Sequence, residues 1–253
     1  KGTNVKRIGH NDLEYLEKTL KETKDQYQTR LVIIDGVYSQ DGDLSLLPEI
    51  ISLCKTHEAM LMLDDAHGIG VMGANGRGTA EHFNCLGQVD IITGTFSKSF
   101  GCVGGFAAAS KKIIQYLKFY ADSNVFSAAP TPQVTASILK ALEIIKKEPA
   151  IRARLWENTD YLRSRLTTEG FDIGKSVSPI FPIMIRDNKK VYEIAKMLQE
   201  KGIFTIGIVY PAVRTKEARL RVSVLATHEH EQLDALINAL NDINKDIKIK
   251  KEQ

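Results

Sequence analysis

Three short apolar runs constrain this chain more than any other feature. RLVIIDGV (30–37), LMLD (61–64) and DIITGT (90–95) each end on polar or turn-forming residues. Runs of this length are too short for core helices, and a continuous apolar run fits a parallel strand covered on both faces. Helix-length segments lie around them. Asn11 or Asp12 can cap a helix to about Gln26 with Leu13, Leu16 and Leu20 on one face, and the turn Asp41-Gly42-Asp43 precedes a helix over 46–57. After the loop FSKSFG, GGFAAAS reads as a further strand. Strands alternating with helices predict an α/β fold on a parallel-rich sheet with right-handed crossovers.

From about residue 131 the texture changes. Two helical segments, 131–147 and 149–169, precede the short strands IFPIMIR, GIFTIGIV and RLRVSV. A helix separates the first two strands, and a last amphipathic helix starts near His228. The expected division is a major domain over 1–140 and a smaller α+β domain over 141–253. The tail KDIKIKKEQ reads as charged and solvated.

Composition excludes more than it proves. A formal charge of +3 over 253 residues is too weak to signal nucleic acid or a membrane surface. Three scattered cysteines, Cys54, Cys85 and Cys102, fit neither a disulfide framework nor a zinc cluster, and they suit a reducing, cytoplasmic setting. No apolar run reaches membrane-spanning length. The chain enters a helix almost at once, as expected of a fragment of something longer.

The chemistry concentrates in LMLDDAHG (61–68). Asp64 and Asp65 behind a strand resemble the acidic box of a helicase, which would need a phosphate-cradling G-x-x-x-x-G-K-[ST] loop. The nearest segment, GTFSKS (94–99), has Ser97 in place of the glycine before the lysine and lies downstream of the acids. A plain turn or cap would also use such residues. A third reading makes Asp64 a carboxylate clamp for an organic cofactor. Lys98, between Ser97 and Ser99 with Gly101, Gly104 and Gly105 behind, suits an imine with a phosphorylated aldehyde, its hydroxyls and N–H groups taking the phosphate. Pyridoxal phosphate also needs an anionic partner for its ring nitrogen and a donor for its phenolic oxygen. Asp64 and His67 can supply both from one strand end, where ligands of parallel sheets collect. His228-Glu229-His230 reads as the start of the last helix rather than a metal site, Asp41-Gly42-Asp43 lacks the other ligands of a calcium loop, and the glycines at 70, 73, 76 and 78 read as a tight loop.

Four segments in this order, VIIDGVYSQDGDLSLLPEI, LMLDDAHGIGVMGANGRG, GTFSKSFGCVGG and ARLRVSVLATH, resemble the α-oxoamine synthases among fold-type I pyridoxal-phosphate enzymes. That family includes serine palmitoyltransferase, 8-amino-7-oxononanoate synthase, 2-amino-3-ketobutyrate CoA ligase and 5-aminolevulinate synthase, and its members extend further at the N-terminus. The resemblance implies Lys98 as Schiff-base lysine and Cα base, Asp64 as the pyridinium partner and His67 as the phenolate partner. It implies Thr95 and Ser97 as phosphate ligands, Ser39 near the phenolic oxygen, and Ser127 as a hydroxyl lent to the partner of a homodimer. Pro130-Thr131-Pro132 departs from the family's proline spacing beside Ser127. Arg221 matches the arginine for the amino-acid carboxylate, which suits bidentate pairing. Asp65 is expected to support from behind, and Arg219, on the same side of its strand as Arg221, is left unassigned. The implied reaction is a decarboxylative condensation of a small amino acid, L-serine foremost, with an acyl-CoA. The named alternatives are the 8-amino-7-oxononanoate synthase or CoA ligase reactions, a class I/II aminotransferase, and a non-catalytic subunit or fragment.

Overall fold

Asp12 opens the first helix. Its carboxylate accepts from Tyr15 N at 2.9 Å and caps α1 (Leu13–Glu22), which buries Leu16 and Leu20 and ends a turn earlier than the expected Gln26. The computed structural model describes residues 3–250. The chain divides into two units: Lys1–Val37 with Leu44–Lys147, and Tyr38–Asp43 with Glu148–Gln253.

In the first unit, β1 (Leu31–Asp35), α2 (Leu47–Thr56), β2 (Met60–Asp64), α3 (Thr79–His82), β3 (Ile91–Thr95) and β4 (Gly105–Ala109) follow α1. The sheet order is β1-β2-β3-β4. The first two pairings are parallel, while β4 returns antiparallel to β3, as a strand reached by a loop rather than a helical crossover must. Leu61 and Leu63 of β2 join Leu16, Leu20, Leu47, Ile50, Ile51 and Cys54 in one core. The opposite face is less covered. Leu31 and Ile33 of β1 are 44% and 61% exposed, so the described residues cover one face of β1 rather than both. Three helices complete the unit: α4 (Lys111–Tyr120), α5 (Asp122–Val125) and α6 (Pro132–Lys147).

The second unit is an α+β layer. Its elements are α7 (Pro149–Thr168), β5 (Ile180–Met184), α8 (Asn188–Glu200), β6 (Ile206–Ile208), β7 (Arg219–Ser223) and α9 (His230–Asp246). The antiparallel sheet runs β5-β7-β6, and its buried side packs with α7, α8 and α9 around Leu162, Phe181, Ile194, Leu220 and Ile237. Pro182 is tolerated within β5 because β5 is an edge strand and its missing N–H breaks no ladder. Glu229 caps α9 in a reciprocal box with Gln232. The tail departs from its solvated reading. Ile249 is buried, Asn244 Oδ1 accepts from the N–H groups of Ile249 and Lys250, and the Lys250 ammonium lies 4.6 Å from the Phe171 ring centroid. The last three residues of KDIKIKKEQ lie outside the described residues.

Candidate active site

Strand register brings the carboxyl ends of β1, β2 and β3 together. Asp35 is the partner of Asp64, and Asp64 of Thr93, so these three residues form one row across the sheet. Asp64 Oδ1 accepts from Ala66 N at 3.0 Å, which fixes the carboxylate at the start of the loop. His67 is half-buried two residues beyond Asp65.

Asp65 does something different from its neighbour. It is 1% exposed, accepts from Thr79 N at 2.7 Å and from Thr79 Oγ1 at 2.6 Å, and its carboxyl is pushed up by burial against those two bonds. Glycines enclose it. A Cβ on Gly36 would come within 2.5 Å of Asp65 Oδ1, and a Cβ on Gly68 or Gly78 would overlap the same carboxylate. The loop then closes on itself through Gly70 N to Gly76 O at 2.8 Å, with positive φ at Gly70, Gly73, Gly76 and Gly78. Asp65 is therefore the internal post of the loop that Asp64 and His67 ride on.

The lysine loop leaves β3 beside this post. Thr95 Oγ1 and Ser97 Oγ lie 2.8 Å apart, and Thr95 Oγ1 also donates to Gly104 O at 3.1 Å. Ser97 N points back to Thr95 Oγ1 at 3.2 Å. Lys98 is exposed between them and Ser99, whose hydroxyl donates to Ile69 O at 2.7 Å and ties the lysine loop to the Asp64 loop. The rings of Phe100 and Phe106, 5.3 and 5.4 Å from that of Phe96, pack beneath the loop. Asp64, His67, Thr95, Ser97 and Lys98 thus sit on two adjoining strand ends that are stapled together. Ser127 lies in an exposed stretch between α5 and α6, away from any regular element.

In the second unit, β7 grips the excursion Tyr38–Asp43. Arg221 Nε donates to Ser39 O at 2.6 Å and its Nη1 to Ser223 Oγ at 3.1 Å, while burial pulls the guanidinium below its usual range. Arg219 is buried and binds the Asp41 carboxylate, Gln40 O at 3.3 Å and Glu217 O at 2.7 Å. Sequence reading left Arg219 without a role; the structure makes it the anchor of the Ser39 loop. Its signal was the acidic turn Asp41-Gly42-Asp43 with no metal to explain it.

These residues meet the requirements of pyridoxal phosphate: a fixed strand-end carboxylate, an accessible amine and paired hydroxyls with a neighbouring N–H. Thr93 Oγ1, buried with no hydrogen-bond partner among the described residues, adds a polar atom in the same row. The sequence matches the family described as aminotransferase class I and II over residues 2–240. The chain belongs to that family. Within this aminotransferase class I and II family its relatives are α-oxoamine synthases. It is 42% identical over 240 residues to 8-amino-7-oxononanoate synthase of Thermoanaerobacter pseudethanolicus, covering 95% of this chain and 61% of the relative. It is 43% identical over 245 residues to serine palmitoyltransferase of Sphingobacterium spiritivorum, covering 97% and 61%. A solved structure of SPT with PLP internal aldimine superposes with a TM-score of 0.90 at 30% identity, over 95% of this chain and 61% of that one. An 8-amino-7-oxononanoate synthase structure from Francisella tularensis gives 0.75 at 25% identity, over 91% and 67%. The fold is that of the fold-type I enzymes, and the chain spans about 61% of the length of these curated relatives.

Proposed function

We propose that the full-length protein is a pyridoxal-phosphate-dependent acyl-CoA:amino acid C-acyltransferase. The observation that carries this reading is the stapled pair of strand ends, with Asp64 on one and Thr95, Ser97 and Lys98 on the other. Pyridoxal phosphate, when bound, supplies an aldehyde for the amine and a ring that withdraws electrons from the substrate Cα. Lys98 would hold the cofactor through Nζ, and the same amine would take and return the substrate's Cα proton. Asp64 keeps a carboxylate against the ring nitrogen so that the nitrogen stays protonated. His67 donates to the phenolic oxygen, with Ser39 as a further group there. Thr95, Ser97 and the Ser97 N–H hold the phosphate, and Ser127 contributes a hydroxyl to a second subunit. Arg221 holds the substrate carboxylate by paired N–H donors.

The substrate assignment is narrower. We favour L-serine with a long-chain acyl-CoA, released as CoA and CO2 with an α-amino ketone as product. A second reading, 8-amino-7-oxononanoate synthase, draws on relatives of that name at nearly the same identity, 42% against 43%. On this reading residues 1–140 contribute to the cofactor domain and 141–253 form the small domain. A homodimer is the proposed assembly, supported by exposed aromatic side chains on α4 and just after α5, and a cytoplasmic setting by three free cysteines. Among the described residues no helix is long and apolar enough to cross a membrane.

The test is a matrix of serine, glycine and alanine against acyl-CoA thioesters of increasing chain length, read as thiol release by full-length protein. Serine with long chains is the expected maximum. Amino-group transfer to a keto acid with no thiol release would make the protein an ordinary aminotransferase. Thiol release with alanine alone would select the second reading.

A further inference from the structure

The short segment Tyr38–Asp43 belongs to the second unit, although the chain on both sides of it belongs to the first. It is a closed turn. Tyr38 N donates to Asp43 O at 3.0 Å and Gly42 N to Tyr38 O at 2.8 Å. Val177 N and Ser178 N, just before β5, both donate to Gly42 O at 3.1 Å. Gly42 itself has a φ of +70° and no room for a Cβ beside Ile180 O. The other hold on the turn comes from β7, the central strand of its sheet. Leu220 and Val222 are buried in the core, so strand alternation turns Arg219 and Arg221 to the opposite face. Arg219 is buried, donating through Nε to Glu217 O and through Nη1 to the Asp41 carboxylate and Gln40 O. An unpaired charge buried there would be costly, so Asp41 is the partner that makes the burial tolerable. Arg221 is arranged differently. Its Nε donates to Ser39 O at 2.6 Å and its Nη1 to Ser223 Oγ at 3.1 Å, while Nη2 has no hydrogen-bond partner among the described residues. The protein thus holds one side of this guanidinium and leaves its terminal Nη edge as a fork for a carboxylate.

We propose that Asp41 and Arg219 are positioning residues for recognition of the amino-acid carboxylate. This rests on the reading of Arg221 as the ligand of that carboxylate. The Asp41–Arg219 ion pair pins the turn to β7, and the pinned turn holds Ser39 O in a fixed place. Ser39 O takes the Arg221 Nε and so sets the plane of the guanidinium. A planar fork pairs with a carboxylate through two bonds only when the two planes match. The ion pair therefore decides how much of the Arg221 charge becomes binding, without touching the substrate itself. Without the Asp41 carboxylate, Arg219 keeps only carbonyl partners and the turn loses its side-chain anchor. Arg221 then gains freedom that binding must remove, and affinity for the carboxylate falls.

The experiment is a spectral titration of full-length protein loaded with pyridoxal phosphate, for wild type, Asp41→Ala, Asp41→Asn and Arg221→Met. L-serine and L-alanine are each compared with the same amine lacking its carboxylate, 2-aminoethanol and ethylamine. The quantity read is the ratio of dissociation constants, amine over amino acid, which isolates what the carboxylate contributes. Asp41→Ala is expected to lower this ratio roughly tenfold, the loss when one charge-assisted hydrogen bond is misaligned. Asp41→Asn, which keeps an acceptor in place, is expected to lower it by less. A purely structural role would reduce thermal stability or weaken amine and amino acid together, so an Asp41→Ala ratio equal to wild type overturns the proposal. If Asp41→Ala does not fold, Asp41→Asn is titrated in its place with the same two outcomes. An Arg221→Met ratio equal to wild type overturns the reading of Arg221, and this proposal with it. A ratio lost in Arg221→Met and kept in Asp41→Ala overturns this proposal alone.

Discussion

Two regions of the first unit solve opposite problems. The loop from Asp64 to Gly78 encloses a buried carboxylate almost entirely with its own backbone, using Gly36, Gly68 and Gly78 as walls and Thr79 as donor. The helices α4, α5 and α6 bury no residue at all, yet carry Tyr116, Phe119, Tyr120 and Leu139 in the open, with Phe126 exposed just after α5. The loop is closed by its own residues; the helical face is open among the described residues. A region closed on itself resists substitution through sterics and desolvation. A region left open resists little until something covers it. The two should therefore respond to mutation in different measurements.

The sharpest break is Gly68→Ala. The new methyl would overlap the Asp65 carboxylate, which is held on its other side by Thr79 and cannot retreat. Moving the carboxylate forfeits two hydrogen bonds in a buried place, so a loss of about 3–5 kcal/mol in unfolding free energy is expected. Denaturant unfolding measures it. A loss under about 0.5 kcal/mol, the range of ordinary surface changes, would mean that the loop is not closed on Asp65.

A second comparison sharpens the first, because the loop is braced by two carboxylates of opposite behaviour, Asp65 within it and Glu81 on α3. Asp65 is raised by burial, so the stability it contributes is complete below the usual carboxylate value and is lost as pH rises through its folded value. Glu81 is the reverse. Desolvation, the largest single influence, pushes it up, but it accepts from Asn75 N and Arg77 N at 3.0 Å and from Asn75 Nδ2 at 2.7 Å, and these bonds together hold it below its ordinary value. Its contribution is present above the usual value and is lost as pH falls through the folded one. On acidification the stability advantage of wild type over Asp65→Asn should therefore widen, while the advantage over Glu81→Gln should close. Changes of about 1 kcal/mol in each direction are expected. Parallel unfolding curves between pH 3 and 7, a span of roughly four units around the carboxylate values, give the two signs; two gaps moving together would remove the distinction.

Much of this contrast was legible in the residues, and the rest was not for identifiable reasons. LMLDD and GTFSKS announced a strand-end acid and a hydroxyl-flanked lysine, because backbone chemistry and side-chain chemistry coincide there. The closure around Asp65 was not readable, since Gly36, Gly68 and Gly78 meet one carboxylate from far-apart positions. Strand register is equally silent in one dimension, so Asp35 ended its strand unnoticed beside Asp64. The helix α4 does carry a cap, Ser110, but GGFAAAS absorbed that serine into the preceding strand. Ser39 was read for its hydroxyl, whereas its carbonyl is the atom that Arg221 holds. In the tail, lysine charges concealed Ile249, which is buried while the Lys250 ammonium lies over Phe171.

The open face gives the smallest effect on folding and the clearest effect on assembly. Phe119 is 77% exposed on α4, close to the stacked rings of Tyr116 and Tyr120, whose centroids are 4.7 Å apart. Isolated exposed apolar residues are ordinary, but a contiguous cluster on one helix marks a surface that another body covers. Replacing Phe119 with serine removes no buried contact within the chain, so unfolding of the monomer should change by no more than about 0.5 kcal/mol. If a second copy covers the face, the same substitution takes an aromatic anchor out of that interface, where such residues concentrate the binding energy. Sedimentation of full-length protein should then show a dimer for wild type and dissociation to monomer at low micromolar concentration for Phe119→Ser. Equal mass for both proteins, with stability unchanged, would place the subunit contact elsewhere. A stability loss of several kcal/mol in a protein that stays monomeric would instead mean that α4 packs within its own chain. That outcome would erase the difference between the closed loop and the open face.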